Sequence, residues 1–126
     1  MAQLKTGIWV DALIRRAQVG GAFACVAHRG DRDAGSVLVI VRTEKTLSLY
    51  TPERDMDGAR VWRPQALGET ALAQAIRSRL DFDSDLMVVE IEDREGRHFI
   101  EEPILGANDR AEAAAEAAAK ALFRDR

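Results

Sequence analysis

The sequence predicts an α+β domain: an antiparallel sheet of about five to six strands with helices gathered mainly on one face, in the order α-β-β-β-(β)-α-β-β-α. Three observations carry that expectation. Trp9, Val10, Leu13, Ile14 and Ala17 recur at helical spacing near the start. Val37 to Val41 is an unbroken, mostly β-branched run, the signature of a strand buried on both faces. Met87, Val89 and Ile91 alternate with Val88, Glu90 and Glu92, the period of a strand with two unlike faces. At 126 residues the chain makes one domain and can bury roughly two-thirds of its unfolded surface, enough for a core without a disulfide or structural metal.

The elements follow in order. Thr6 is the expected N-cap of the first helix and Gly20-Gly21 its stop, with Asp11, Arg15 and Gln18 on the polar side. Ala22 to His28 reads as a strand, Val37 to Val41 as the central one, and Leu47 to Tyr50 as its hairpin partner across Thr43–Thr46. The three strands within 22–50 are expected to pair in succession, antiparallel. Pro52 to Gly58 reads as a polar loop, and Arg60 to Arg63 as a short edge strand before Pro64. A second helix fits Glu69 to Leu80, with Leu72, Ala73, Ile76 and Leu80 on one face. Leu86 to Glu92 is a strand, Asp93-Arg-Glu-Gly96 a turn, and Arg97 to Ile100 the antiparallel return. Pro103 and Gly106 then break the chain. An alanine-rich helix follows from a capping box, Asp109 with Glu112. The organisation expected is a domain over residues 1–105 with an appended helix over 106–126.

Composition narrows the function classes. The single cysteine, Cys25, cannot close an internal bridge, no export signal opens the chain, and no stretch approaches the roughly 20 apolar residues of a membrane span. A cytoplasmic protein without membrane contact is expected. Fifteen arginines against three lysines, with twenty-one alanines, point to a GC-rich bacterial genome, since the arginines are scattered. Charge is unevenly spread: residues 1–50 balance at +3 and residues 51–107 at −6. Such a split predicts surfaces of opposite sign.

Several phrases together resemble a known family. Leu4-Lys-Thr-Gly-Ile-Trp-Val10, Leu13-Ile-Arg-Arg16, Gly30-Asp-Arg-Asp-Ala-Gly35 and the long run from Phe82 to Phe99 are similar to an uncharacterised family of short alphaproteobacterial proteins, a domain of unknown function. The resemblance covers about residues 4 to 100. It implies a bacterial cytosolic origin and no activity.

Candidate chemistry is sparse. Asp81-x-Asp83-x-Asp85 with Glu92 at the twelfth position has the ligand spacing of a calcium loop, but Leu86 stands where that loop needs glycine, and a strand follows where a helix should. An Asx-type turn ending the helix is the expectation instead. Glu90, Glu92, Asp93 and His98 could seed a metal-assisted hydrolase or nuclease, but the chain has only two histidines, on distant segments, and no lysine nearby. Gly30 to Gly35 lacks a following helix N-terminus and carries Asp31 and Asp33, which repel a phosphate; it reads as a turn between strands. Cys25 reads as a small hydrophobe, with His28 on the other side of the strand. A nucleic-acid surface could recruit Arg15, Arg16, Arg29, Arg32, Arg42 and Lys45, but no recognition motif accompanies them, so nucleic acid is not the expected partner.

What remains is a protein-interaction module, adaptor or regulatory in kind, whose partner is another protein or a second copy of this chain; no cofactor, catalytic residue or metal ligand is expected. The expected binding face is the acidic hairpin around Glu90, Glu92, Asp93, Arg94 and Glu95. A second candidate surface comprises Arg15, Arg16, Asp31 and Asp33.

Overall fold

The computed structural model describes residues 4–106, so the alanine-rich helix expected beyond them lies outside the described residues. Helix α1 (Thr6–Val19) buries Trp9, Val10, Leu13 and Ala17 and ends at Gly20, as the pattern predicts. The residue at its N-cap position is Lys5, not Thr6; the Thr6 hydroxyl donates instead to the carbonyl of Gly35. Strands β1 (Phe23–His28), β2 (Val37–Arg42), β3 (Leu47–Arg54) and β4 (Arg60–Ala66) follow, then α2 (Glu69–Phe82) and β5 (Met87–Glu92).

The architecture is α+β, but the sheet is mixed. Its order is β1-β5-β2-β3-β4, with β5 antiparallel to β1 and parallel to β2. The strands within 22–50 therefore do not pair in succession: β1 and β2 run antiparallel, but β5 lies between them. The apolar run 37–41 holds the middle of the sheet, as expected. It needs an equally apolar neighbour on either side, and Met87–Ile91 fits it better than β1, which is exposed at Phe23 and Ala27.

A second correction concerns the helices. Val37, Val39 and Val41 pack with Trp9, Val10, Leu13 and Ala17 of α1, while Leu38 and Ile40 pack with Leu72, Ile76 and Leu80 of α2. The helices thus cover opposite faces. A central strand apolar on both sides leaves no alternative, because an uncovered face of this kind would expose a large hydrophobic patch.

A third concerns 52–58, where β3 continues to Arg54 and only a short turn separates it from β4. Pro52 is tolerated because its partner is Trp62, whose N–H points away from β3 and donates to the Pro103 carbonyl at 3.0 Å. The Pro52–Trp62 pair thus exchanges no ladder bonds, and proline's missing donor costs the β3–β4 ladder nothing.

Finally, 97–100 does not return as a strand. The chain turns at 93–96 and runs beneath α1, placing Phe99 and Ile100 against its cluster. Ile104 then bridges to Trp62, covering part of the β4 edge. Trp62 stacks on Trp9 with centroids 5.2 Å apart, and Arg60 lies 4.7 Å from the Trp9 ring centre while bonding Glu102. Among the described residues, no helix is long and apolar enough to cross a membrane.

Candidate functional site

The parallel strands β2 and β5 end side by side at Arg42 and Glu92, and the Asp93 N–H donates to the Arg42 carbonyl at 3.0 Å. Beyond them the turns 43–46 and 93–96 form one end of the molecule. Period-2 alternation puts Arg42, Glu90 and Glu92 on the α2 side of the sheet, the side of Leu38, Ile40 and Val88.

These charges divide into two groups. Arg42 is the hub of the first: its Nη2 donates to Glu90 at 3.0 Å, and its Nη1 donates to Glu69, the first residue of α2. One guanidinium thus ties two strands to a helix N-terminus, where a carboxylate is also favoured by the helix dipole. Both carboxylates hold the Arg42 ionisation above its ordinary range, hydrogen bonding to Glu69 most.

Asp93 is internal. Its side chain is 2% exposed, and it accepts from Arg97 Nη2 at 2.8 Å, Arg97 Nε at 3.0 Å and the Arg97 N–H at 2.8 Å. Those bonds, above all the Arg97 guanidinium, pull its carboxyl down to about 2. Arg97 also donates to the Gly20 carbonyl, closing the C-terminal end of α1, and stacks 4.9 Å over Phe99.

The second group faces outward. The side chains of Glu92 and Arg94 are exposed and make no hydrogen bond or ion pair among the described residues; the exposed Glu95 carboxylate meets only Arg97, at 3.8 Å. With Phe23, Arg42, Thr43 and Glu44, Glu92 and Arg94 line an open cleft of about 480 Å³. Phe23 is 64% exposed and sits directly opposite Glu92 in the β1–β5 register. Of the face read from sequence, Glu92, Arg94 and Glu95 therefore stand together on the surface, Glu90 is half-buried in the Arg42 network, and Asp93 is a structural carboxylate.

The second candidate surface is not a single patch. Arg16, at the C-terminal end of α1, donates to the Phe99 carbonyl at 3.0 Å and meets Glu101 at 3.3 Å, while Arg15 is exposed. Asp31 and Asp33 lie near the other end of that helix. Asp31 accepts from the N–H groups of Asp33 and Ala34, and Asp33 meets Lys5 at 3.7 Å. The Gly30–Gly35 segment links β1 to β2 as expected, but it crosses over the start of β5. A β-carbon at Gly30 or Gly35 would sit 1.9 or 2.3 Å from the Asp85 carbonyl oxygen, and the Asp31 N–H donates to that same oxygen at 2.8 Å.

Asp83 accepts from the Asp85 N–H at 3.0 Å, the Asx turn expected at the end of the second helix. Among the described residues no three His, Cys, Asp or Glu side chains converge as a metal site. Cys25 is half-buried in β1, opposite Glu90. Sequence reasoning missed the hub at Arg42, whose partners lie 27 and 48 residues away. The Asp93–Arg97 pair was within reach, since its partners stand four residues apart.

Comparison with known proteins gives a consistent picture. A family model described as "Protein of unknown function (DUF1491)" matches residues 4–101. The chain is 46% identical to a DUF1491 family protein from Caulobacter crescentus CB15 solved by crystallography, covering 81% of this chain and 99% of that one, with a TM-score of 0.77. An NMR structure of a DUF1491 family protein from Caulobacter crescentus CB15 gives 44% identity, coverage of 82% and 98%, and a TM-score of 0.75. A solution structure of an A. tumefaciens protein matches at 31% identity over 80% of this chain and 95% of that one, with a TM-score of 0.68. No curated protein matches.

Proposed function

This chain belongs to the DUF1491 family of proteins of unknown function, and from that premise we propose that it is a small protein-interaction module that receives a basic partner at the end face carrying Glu92 and Glu95. The observation that supports this reading is the division of charges at that end. Glu69, Glu90 and Asp93 are engaged in holding the fold, so their charge is explained by structure. Glu92 makes no such contact among the described residues, yet it borders a cleft walled by an exposed phenylalanine. An aromatic side chain inside a polar rim is the composition of an interface centre, and unneutralised carboxylates accelerate capture of a positive partner.

The test is a double charge reversal, Glu92→Lys with Glu95→Lys, which leaves the Arg42 network and the Asp93–Arg97 hydrogen bonds in place and removes the exposed 3.8 Å contact of Glu95 with Arg97. Proteins captured by the tagged wild type from its native cell should be lost from the reversed variant at low salt, at an unchanged melting temperature. Retention of the same partners would refute the acidic face. Binding to the wild type should also weaken with salt, since the Debye length shrinks to about 8 Å at physiological ionic strength.

A further inference from the structure

The two edges of the sheet are treated differently. At β4, Trp62 exchanges hydrogen bonds with Pro103 and Leu105, so the chain itself covers that edge. At β1, the backbone makes no hydrogen bond beyond its ladder to β5 among the described residues. β1 reads Phe-Ala-Cys-Val-Ala-His and carries no carboxylate, lysine, arginine or proline. An open, neutral edge of this kind is what proteins ordinarily guard with charge. Its one interruption is a bulge between Val26 and His28, which limits regular pairing to Phe23–Val26.

The directions of its free groups follow from β5. The N–H groups of Met87 and Asp93 donate to Ser36 and Arg42, on the β2 side. By alternation Glu90 and Glu92 turn theirs toward β1, so Cys25 and Phe23, their register partners, are bonded inward. Ala24 and Val26 therefore point their N–H and C=O groups outward.

We infer that β1 pairs antiparallel with β1 of a second copy of this chain, in a register centred on Cys25. That register is selected by the outward groups: Ala24 of each copy faces Val26 of the other, and both pairs are fully hydrogen-bonded. Centring on Ala24 would instead set Val26 against Ala22, whose N–H is already taken by the Ala17 carbonyl. Centring on Val26 would set Ala24 against His28, past the bulge. A two-fold axis through Cys25 keeps like faces together. On the α2 side it covers exposed Phe23 of one copy with exposed Ala27 of the other.

Charge is complementary as well. Arg29 follows the bulge, at the end of β1 that antiparallel pairing directs toward the other copy's Gly21 and the cleft that holds Glu92 and Glu44. Arg29 and Glu92 are both exposed and have no ion-pair partner among the described residues. The inference deepens the preceding proposal by naming a partner, and rests on it only for the seat of Arg29; the strand pairing stands on the backbone geometry.

The central pair Cys25–Cys25 would be a non-hydrogen-bonded one, with α-carbons about 4.5 Å apart, within the range a disulfide spans. Light scattering on the full chain should show a dimer that forms with rising concentration. Mild oxidation with diamide should convert it to a covalent dimer, and Cys25→Ser should abolish the link. V26P removes an outward N–H and no bond to β5, and should weaken the dimer on the order of 100-fold. If V26P fails to fold, Ala27→Asp, at an exposed position of β1 outside the Glu92 cleft, replaces it, with the same loss expected. A wild type that stays monomeric at high micromolar concentration overturns the inference. So does a dimer that survives the substitution that folds. If Glu92→Lys with Glu95→Lys spares the dimer while V26P breaks it, the strand pairing stands and the seat of Arg29 at the acidic cleft falls. The converse result retains the acidic face and refutes the strand pairing.

Discussion

Asp93 shows how one carboxylate can be structural while its neighbours are free. Its folded pKa near 2 lies below the ordinary carboxylate value of about 3.9, so its contribution to stability is complete above about pH 4. It is lost as pH falls from there through 2, where the folded-state carboxyl takes up its proton. Asp93→Asn keeps the shape but not the charge, and should cost on the order of 2 kcal/mol at neutral pH, since buried charge-assisted bonds to Arg97 are weakened. Urea titrations at pH 7 and near pH 2 should show the gap between wild type and variant closing at the acid end. His98 behaves differently: burial lowers its pKa, and its neutral Nδ1 accepts the Ile100 N–H at 2.9 Å. Sequence could show the acids of this region but not which of them is buried, because Asp93 is enclosed by Arg97, whose guanidinium also reaches the Gly20 carbonyl at the end of α1.

At the scale of the element, the crossover between β1 and β2 is the most constrained piece of the fold. Gly30 and Gly35 admit the Asp85 carbonyl where a side chain would collide with it. Gly30→Ala should destabilise on the order of 3 kcal/mol, because the clash is with backbone and cannot be relieved by a rotamer change. Guanidinium unfolding would measure it, and a variant within a few tenths of a kcal/mol of wild type would deny the close approach. Local pattern was a good guide to the elements themselves: the helical stripe from Trp9 to Ala17, the run Val37–Val41 and the alternation at Met87–Ile91 all became what their periods predict. Pairing was less legible. The eight residues between β1 and β2 look like a hairpin connection, and nothing local reveals a third strand between them. The two-sided burial of β2 was readable, yet its consequence, one helix on each face, was not drawn from it.

For the whole molecule, two arginines of the basic half pair with carboxylates of the acidic half. Arg42 of the basic half bonds Glu69 and Glu90 of the acidic half, and Arg16 meets Glu101. The +3 and −6 balances are thereby met in part by pairing across the two halves, and Glu92 stands outside those pairs. Among the described residues, both apolar clusters close around side chains no further along than Ile104. Deleting residues 107–126 should therefore leave a single cooperative thermal transition, checked by circular dichroism; its loss would place the deleted segment in the core. The position of β5 has a further consequence for how the chain is made. β5 reaches its place between β1 and β2 only after more than two-thirds of the protein has been synthesised. Until then β1 and β2, antiparallel and eight residues apart, can close on each other as a hairpin that the finished sheet does not contain. Contacts of long sequence separation form slowly because loop closure precedes their reward. The native sheet is therefore completed only when β5 enters between β1 and β2, a step that closes contacts of long sequence separation.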